Sequence, residues 1–190
     1  MNCRDMQRRL HCLGNCGKRK SVETRGREYT MEIRKTQMSE LDEVMEVYKA
    51  ARKFMASQGN PNQWGNTRPP REQVEKDVAM GKSYVCVENG RIEGVFYFAH
   101  EEDPTYKVIE NGSWKKDGEY AVAHRVASAG RCKGVGAFCL NWAFEQSGNL
   151  RIDTHHDNKP MQNLLKKLGF EYCGIIYLEN GEPRLAFQKY

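Results

Sequence analysis

The chain has 190 residues, a length that suits a single domain with a sizeable buried core. Its net charge of +5 is unevenly placed: residues 1–30 carry eight bases against three acids, and the rest of the chain is balanced. A neutral domain behind a basic leader argues against a general nucleic-acid binder, and no apolar run approaches the ~20 residues that span a bilayer. Seven cysteines, an odd number, with no apolar export segment, point to a reduced cytoplasmic protein with free thiols.

Residues 1–30 lack periodicity and are sparse in apolar residues, so the leader is expected to be disordered or loosely packed. It reads as an upstream extension or a wrongly chosen start, because Met31 opens what looks like a complete domain. The leader's bases have no interleaved aromatics, as a nucleic-acid arm would. Cys3, His11, Cys12 and Cys16 form no Cys-x-x-Cys pair, and no metal is expected anywhere in the chain.

From Met31 to Thr36 the pattern alternates as in a strand. Ser39-Glu40-Leu41-Asp42 has the form of a capping box, followed by a helical stripe at Leu41, Val44, Met45, Tyr48, Ala51 and Met55. Gly59 ends that helix. Residues 60–70 are a turn-rich loop holding Gln63 and Trp64, and a short helix follows over 71–80. Strands over 83–88 and 91–98 are joined by Asn89-Gly90, a two-residue hairpin signal. A polar loop then runs to Glu119.

The stretch from Tyr120 to Glu145 organises the chain. A strand over 120–127 runs into Ser128-Ala129-Gly130 and then Arg131-Cys132-Lys133-Gly134-Val135-Gly136. From Val135 a helix begins, with apolar residues at Val135, Phe138, Cys139 and Trp142. Glycines in such a turn let backbone N–H groups approach a ligand, and the helix dipole makes the turn an anion site. Arg131 and Lys133 are expected to add full charges. The spacing is neither a nucleotide P-loop nor a dinucleotide fingerprint; a plain tight turn with solvated charges is the other reading. Beyond it come a strand over 150–154, a helix with Met161, Leu164, Leu165 and Leu168 on one stripe, and a closing hairpin of strands over 170–178 and 184–188. The order β-α-α-β-β-β-α-β-α-β-β predicts an α/β domain over 31–190, a mixed sheet with helices on its faces.

The turn has the form Arg/Gln-x-x-Gly-x-Gly/Ala and resembles the pyrophosphate-binding turn of the GNAT superfamily of acyl-CoA N-acyltransferases. Asn158-Lys159-Pro160-Met161-Gln162-Asn163-Leu164-Leu165, running on to Gly169-Phe170, resembles the family's second signature, and the element order over 31–190 is the family's order. HRVAS and RIDTHHDNK are similar to segments of a bacterial subgroup of undefined substrate. The resemblance implies the GNAT fold, a twisted sheet with two splayed central parallel strands, here 120–127 and 150–154. It also implies an N-acetyltransferase that moves an acetyl group from acetyl-CoA to a small-molecule or peptide amine in a ternary complex, and it allows a homodimer. A non-catalytic acyl-CoA-binding or regulatory protein of the same fold is the alternative.

By the same resemblance, a backbone N–H of Val126 or Ala127 would polarise the thioester carbonyl. The amides of Arg131, Cys132, Lys133, Gly134, Val135 and Gly136 would hold the pyrophosphate, with Asn158 and Asn163 completing the cofactor residues. Gln63 and Trp64 would border the acceptor. The family tyrosine that protonates the leaving thiolate falls on Leu165, and Tyr177 is a candidate replacement. His124 is expected either as the base or as a strand histidine bonded to a carbonyl. Asp153 reads as a proton acceptor or amine-binding group, or as a structural acceptor. Asn158 competes between the cofactor and the helix N-cap that Pro160 invites, and Trp64 between the acceptor pocket and the core edge.

Overall fold

The computed structural model describes residues 19–24 and 27–190, with side chains from Thr30 onward. Along the chain come β1 (Arg19–Thr24), β2 (Arg27–Lys35), α1 (Leu41–Ser57), α2 (Arg71–Ala79), β3 (Ser83–Glu88), β4 (Arg91–His100), β5 (Ala121–Ser128), α3 (Val135–Ser147), β6 (Leu150–Thr154), α4 (Lys159–Lys167), β7 (Glu171–Tyr177) and β8 (Pro183–Lys189). The strands form one eight-stranded sheet in the order β1-β2-β3-β4-β5-β6-β8-β7. From Met31 the elements agree with those expected from the sequence. The first strand differs: it begins at Arg27 and pairs with β1, so part of the leader expected to lack order is hairpin. Residues 1–18, with Cys3, His11, Cys12 and Cys16, lie outside the described residues, as do residues 25 and 26.

Helices cover both faces of the sheet because each presents one apolar stripe. On one side α1 and α2 bury Leu41, Val44, Val47, Tyr48 and Val74 against Val85, Ile92 and Val95. On the other, Val135, Cys139, Leu140 and Ala143 of α3 and Leu165 of α4 pack on Phe96, Phe98, Leu150, Ile152 and Phe187. The stripe of α3 is thus rotated from the one expected: Phe138 and Trp142 are half-buried, and Trp142 closes an aromatic cluster 5.0 Å from Tyr84 and 5.8 Å from Phe96. Burying a side chain such as Phe96 completely stabilises the fold by roughly 1.5–3 kcal/mol. The start of α1 also corrects an expectation. Ser39-x-x-Asp42 does not cap it; the chain enters through a helical turn at Met38–Glu40, where Glu40 accepts from the Gln37 amide at 2.9 Å and from Arg34 at 2.8 Å.

Two distortions of this frame make room for a site. β5 and β6, a parallel pair, share only the positions Ala121↔Leu150 and Val122↔Arg151, after which they part. In the parting region β5 carries a bulge, where its register with β4 slips between Val95 and Tyr97 and Arg125 adopts φ 53°. A non-glycine residue there costs on the order of 1 kcal/mol or more, so something must hold it. Arg125 is held by Asp77 of α2 at 2.7 Å and lies 4.6 Å over the Tyr97 ring, and Gln73 donates to the same carboxylate at 3.0 Å.

The long loop between β4 and β5 is fixed from beneath. Fully buried Gln188 accepts from the amides of Lys115 and Lys116 and donates to the Lys116 carbonyl and to Asn149. Arg151 is sandwiched between Trp114 at 4.2 Å and Tyr120 at 3.9 Å. A buried amide satisfied on both its oxygen and its nitrogen, as Gln188 is, holds irregular backbone in one arrangement. Tyr106 is thereby seated in a third apolar cluster with Tyr97, Val122, Cys173 and Ile176.

Candidate functional site

The parting of β5 and β6 opens into a groove of about 910 Å³. Its floor is β5 from Ala123 to Ser128 and β6 from Ile152 to Thr154; α1, the 60–70 loop and α4 form its walls. Beyond Val122 no strand among the described residues pairs with β5 on the side facing β6, so backbone groups there are open to a ligand.

At the floor His124 lies between two carboxylates. Its Nε2 is 3.0 Å from Asp103 Oδ2, and its Nδ1 is 3.7 Å from Asp153 Oδ1. Only the first distance makes a hydrogen bond, so the neutral ring donates from Nε2 and keeps a lone pair on Nδ1. Tyr106 donates to Asp153 Oδ1 at 2.8 Å, and Thr105 donates twice to Asp103 Oδ1, at 2.8 Å from its amide and 2.6 Å from its hydroxyl. Burial by itself would raise the Asp103 carboxyl, but the bonds from His124 and Thr105 outweigh it and hold the group at about 2. Asp103 is therefore an anion at any pH near neutrality. Burial, with Asp153 next to it, pushes the Tyr106 hydroxyl well above its ordinary range.

The glycine turn stands beside this floor. Gly134 has φ 84° and caps α3, a left-handed conformation that glycine adopts without strain. Gly136 serves closeness instead, since a Cβ there would sit 3.1 Å from Leu164 of α4. Among the described residues the backbone amides of Arg131 to Gly136 donate to no protein group, which fits a phosphate-bearing ligand. Lys133 is exposed. Arg131 corrects an expectation: its guanidinium turns back to Glu93 at 3.0 Å and to the Ile92 carbonyl at 2.8 Å, because Glu93 is buried and needs a counter-charge. Cys132 bonds to Glu88, and burial with that carboxylate pushes its thiol up to about 12, so it is no nucleophile.

Of the residues singled out in the sequence, His124, Asp153, Val126, Ala127, Gly136, Asn158, Gln63 and Trp64 line the groove. Asn158 carries both of its alternatives. It caps α4 by accepting from the Met161 amide at 3.2 Å, and its Nδ2 donates to Gln63 Oε1 at 3.1 Å. Trp64 also does two things, meeting Tyr48 edge-on at 5.8 Å while lining the groove. Val135 is buried in the core.

Asn163 and Tyr177 are not brought to the groove. Asn163 is exposed, five residues and about 140° around α4 from Asn158. Tyr177 lies on β7, two strands from β6, and donates to Glu110 at 3.1 Å. Leu165 is fully buried, so no hydroxyl stands in the family's tyrosine position. Asp103, Thr105 and Tyr106 are site residues that sequence reasoning missed. The one local signal was Asp103-Pro104-Thr105, in which Asp103 caps a single helical turn.

No protein-family model and no curated protein matches the chain. Among solved structures it is similar to an acetyltransferase of the GNAT family from Streptococcus agalactiae, with 31% identity over 88% of this chain and 97% of that one, at a TM-score of 0.77. A GNAT-family acetyltransferase from Listeria monocytogenes shares the fold, at 14% identity over 90% of this chain and 99% of that one and a TM-score of 0.63. So does YncA from Salmonella typhimurium, solved with its cofactor acetyl-CoA, at 15% identity, 83% and 92% coverage and a TM-score of 0.56. With nearly the whole of the streptococcal protein matched on the same splayed sheet, this chain belongs to the GNAT family of acetyltransferases.

Proposed function

We propose that the protein is an N-acetyltransferase that joins the acetyl group of acetyl-CoA to an amine by direct attack in a ternary complex. The observation that carries the reading is His124, a titratable group whose Nδ1 lone pair is left open at the parting of β5 and β6. Acetyl-CoA, when bound, supplies a thioester whose carbonyl carbon accepts the amine and whose sulfur leaves as thiolate. An amine reacts only when neutral, so a base must take its proton, and His124 Nδ1 is that base. Asp103 positions the ring by accepting from Nε2. Asp153, beside Nδ1, attracts the incoming ammonium. The β5 edge facing the parting offers the Val126 amide to the carbonyl oxygen, Ala127 being turned to Val95 of β4, and the amides of Arg131 to Gly136 hold the phosphates. Asn158 meets the arm between them, and Gln63 and Trp64 border the acceptor.

Leu165 in the core and Tyr177 outside the groove favour a second reading, a non-catalytic acyl-CoA-binding protein. A thiol with a pKa near ~8.5 leaves tolerably without an acid, so the enzyme reading stands first. Thiol release from acetyl-CoA with a panel of amines separates them. Acceptor-dependent release supports the transferase; tight CoA binding without release supports the rival.

A further inference from the structure

The acceptor half of the groove combines two features that select one kind of amine. The first is an apolar wall. The buried stripe of α1 is complete in Leu41, Val44, Val47, Tyr48, Ala51 and Met55, and Phe54 stands outside it, 54% exposed. Of the large apolar side chains left exposed among the described residues, Phe54 alone lines the groove. Trp64 and Pro69 line the same groove, Trp64 with its ring meeting Tyr48 edge-on. An aromatic side chain left wet in a groove marks a surface that a ligand covers.

The second feature is one open anion at the floor. Both oxygens of Asp103 are engaged, Oδ1 by Thr105 and Oδ2 by His124. Asp153 Oδ1 takes the Tyr106 hydroxyl, while among the described residues no protein group bonds to its Oδ2. The floor's guanidinium groups are already paired, Arg125 with Asp77 and Arg184 with Glu182. Arg68 is exposed, at the mouth.

We propose that the acceptor is a primary amine whose ammonium group sits against the open Asp153 oxygen and whose remainder is a bulky apolar or aromatic group packed on Phe54, Trp64 and Pro69. This rests on the transferase reading. A polyamine would set its further ammonium groups against an apolar wall and near Arg68, and a short hydroxylated amine would leave Phe54 wet. His124 Nδ1 takes one proton from the ammonium, the freed nitrogen lone pair forms the C–N bond as the C–S bond breaks, and the second nitrogen proton passes to the departing thiolate, leaving an amide and a thiol.

The test uses the full chain with phenethylamine, ethanolamine and spermidine. With acetyl-CoA present, kcat/KM for phenethylamine should exceed that for either other amine at least tenfold. Phe54→Ser, on an exposed position, should lower the ratio of the phenethylamine to the ethanolamine kcat/KM about tenfold. Equal or reversed preference, or a Phe54→Ser loss shared by all three amines, overturns the proposal. The thermal-melting shift given by each amine, with and without CoA, reads the same choice without turnover. A larger shift by phenethylamine than by spermidine supports the acceptor class, and an equal or smaller one overturns it. If phenethylamine shifts the melting temperature but acetyl-CoA neither binds nor turns over, the transferase reading is what fails.

Discussion

His124 Nε2 lies 3.0 Å from Asp103 Oδ2, although one residue comes from the long loop after β4 and the other from β5 beyond it. The contact fixes which imidazole nitrogen carries the proton and so which one faces the groove. His124→Ala should lower kcat about 100- to 1,000-fold with acetyl-CoA affinity unchanged, as loss of a base does. Asp103→Asn should cost less, roughly tenfold to 100-fold, by loosening the ring. Steady-state rates beside calorimetric affinities check both; an equal loss of affinity would mean a binding role.

The same contact is visible to acid. The folded Asp103 carboxyl, at about 2, lies below its ordinary value near ~3.9. Its contribution to stability is therefore present above about pH 4 and is lost as pH falls through about 2. A carbon-detected NMR titration should read that low value, and in His124→Ala it should rise toward ~3.9.

Gly134→Glu should weaken CoA binding at least 100-fold, or about 2.7 kcal/mol, because it brings negative charge to free amides. It also puts a side chain at φ 84°. Gly134→Asn controls for that strain, since Asn tolerates the left-handed region, and it should keep most of the affinity. Loss in both variants would assign the effect to the backbone alone.

Asp77 is 2% exposed, and Arg125 is its counter-ion. Arg125→Met should destabilise the fold by about 3–5 kcal/mol by leaving a buried carboxylate unpaired. Arg125→Met with Asp77→Leu should recover most of that loss. Urea unfolding of the single and double variants measures the difference. Activity should stay low in the double variant, because the bulge no longer has its clamp.

Gln188→Leu should cost about 2–4 kcal/mol, since it leaves the amides of Lys115 and Lys116 and the Oδ1 of Asn149 without their partner. The variant should also lose activity in proportion to its loosening of Asp103, which amide exchange across residues 101–120 would report.

The legible parts of this protein were those with a local period. The apolar stripe of α1, the strand Leu150–Thr154 and the turn at Gly134 are each written in a few adjacent residues, and each stands where the sequence put it. Asp103 was not legible, because what brings it to His124 is Gln188 and Arg151 gripping the loop from distant strands. Arg131 misled for a related reason. Its charge reads as free until β4 shows a buried Glu93 that claims it. Tyr177 needed the strand order: β8 inserts between β6 and β7 and carries that residue away from the groove.

The parting of β5 and β6 has a consequence for where the sheet exposes unpaired backbone. A sheet normally keeps its unpaired backbone at its margins, where a second chain can add to it. Here two further margins lie in the middle, roofed by α1 and α4, within reach of a thin, flexible arm and closed to another strand. A backbone edge covered in this way is completed by a slender ligand bearing amide groups, which is the chemistry acetyl-CoA would bring under the proposed function.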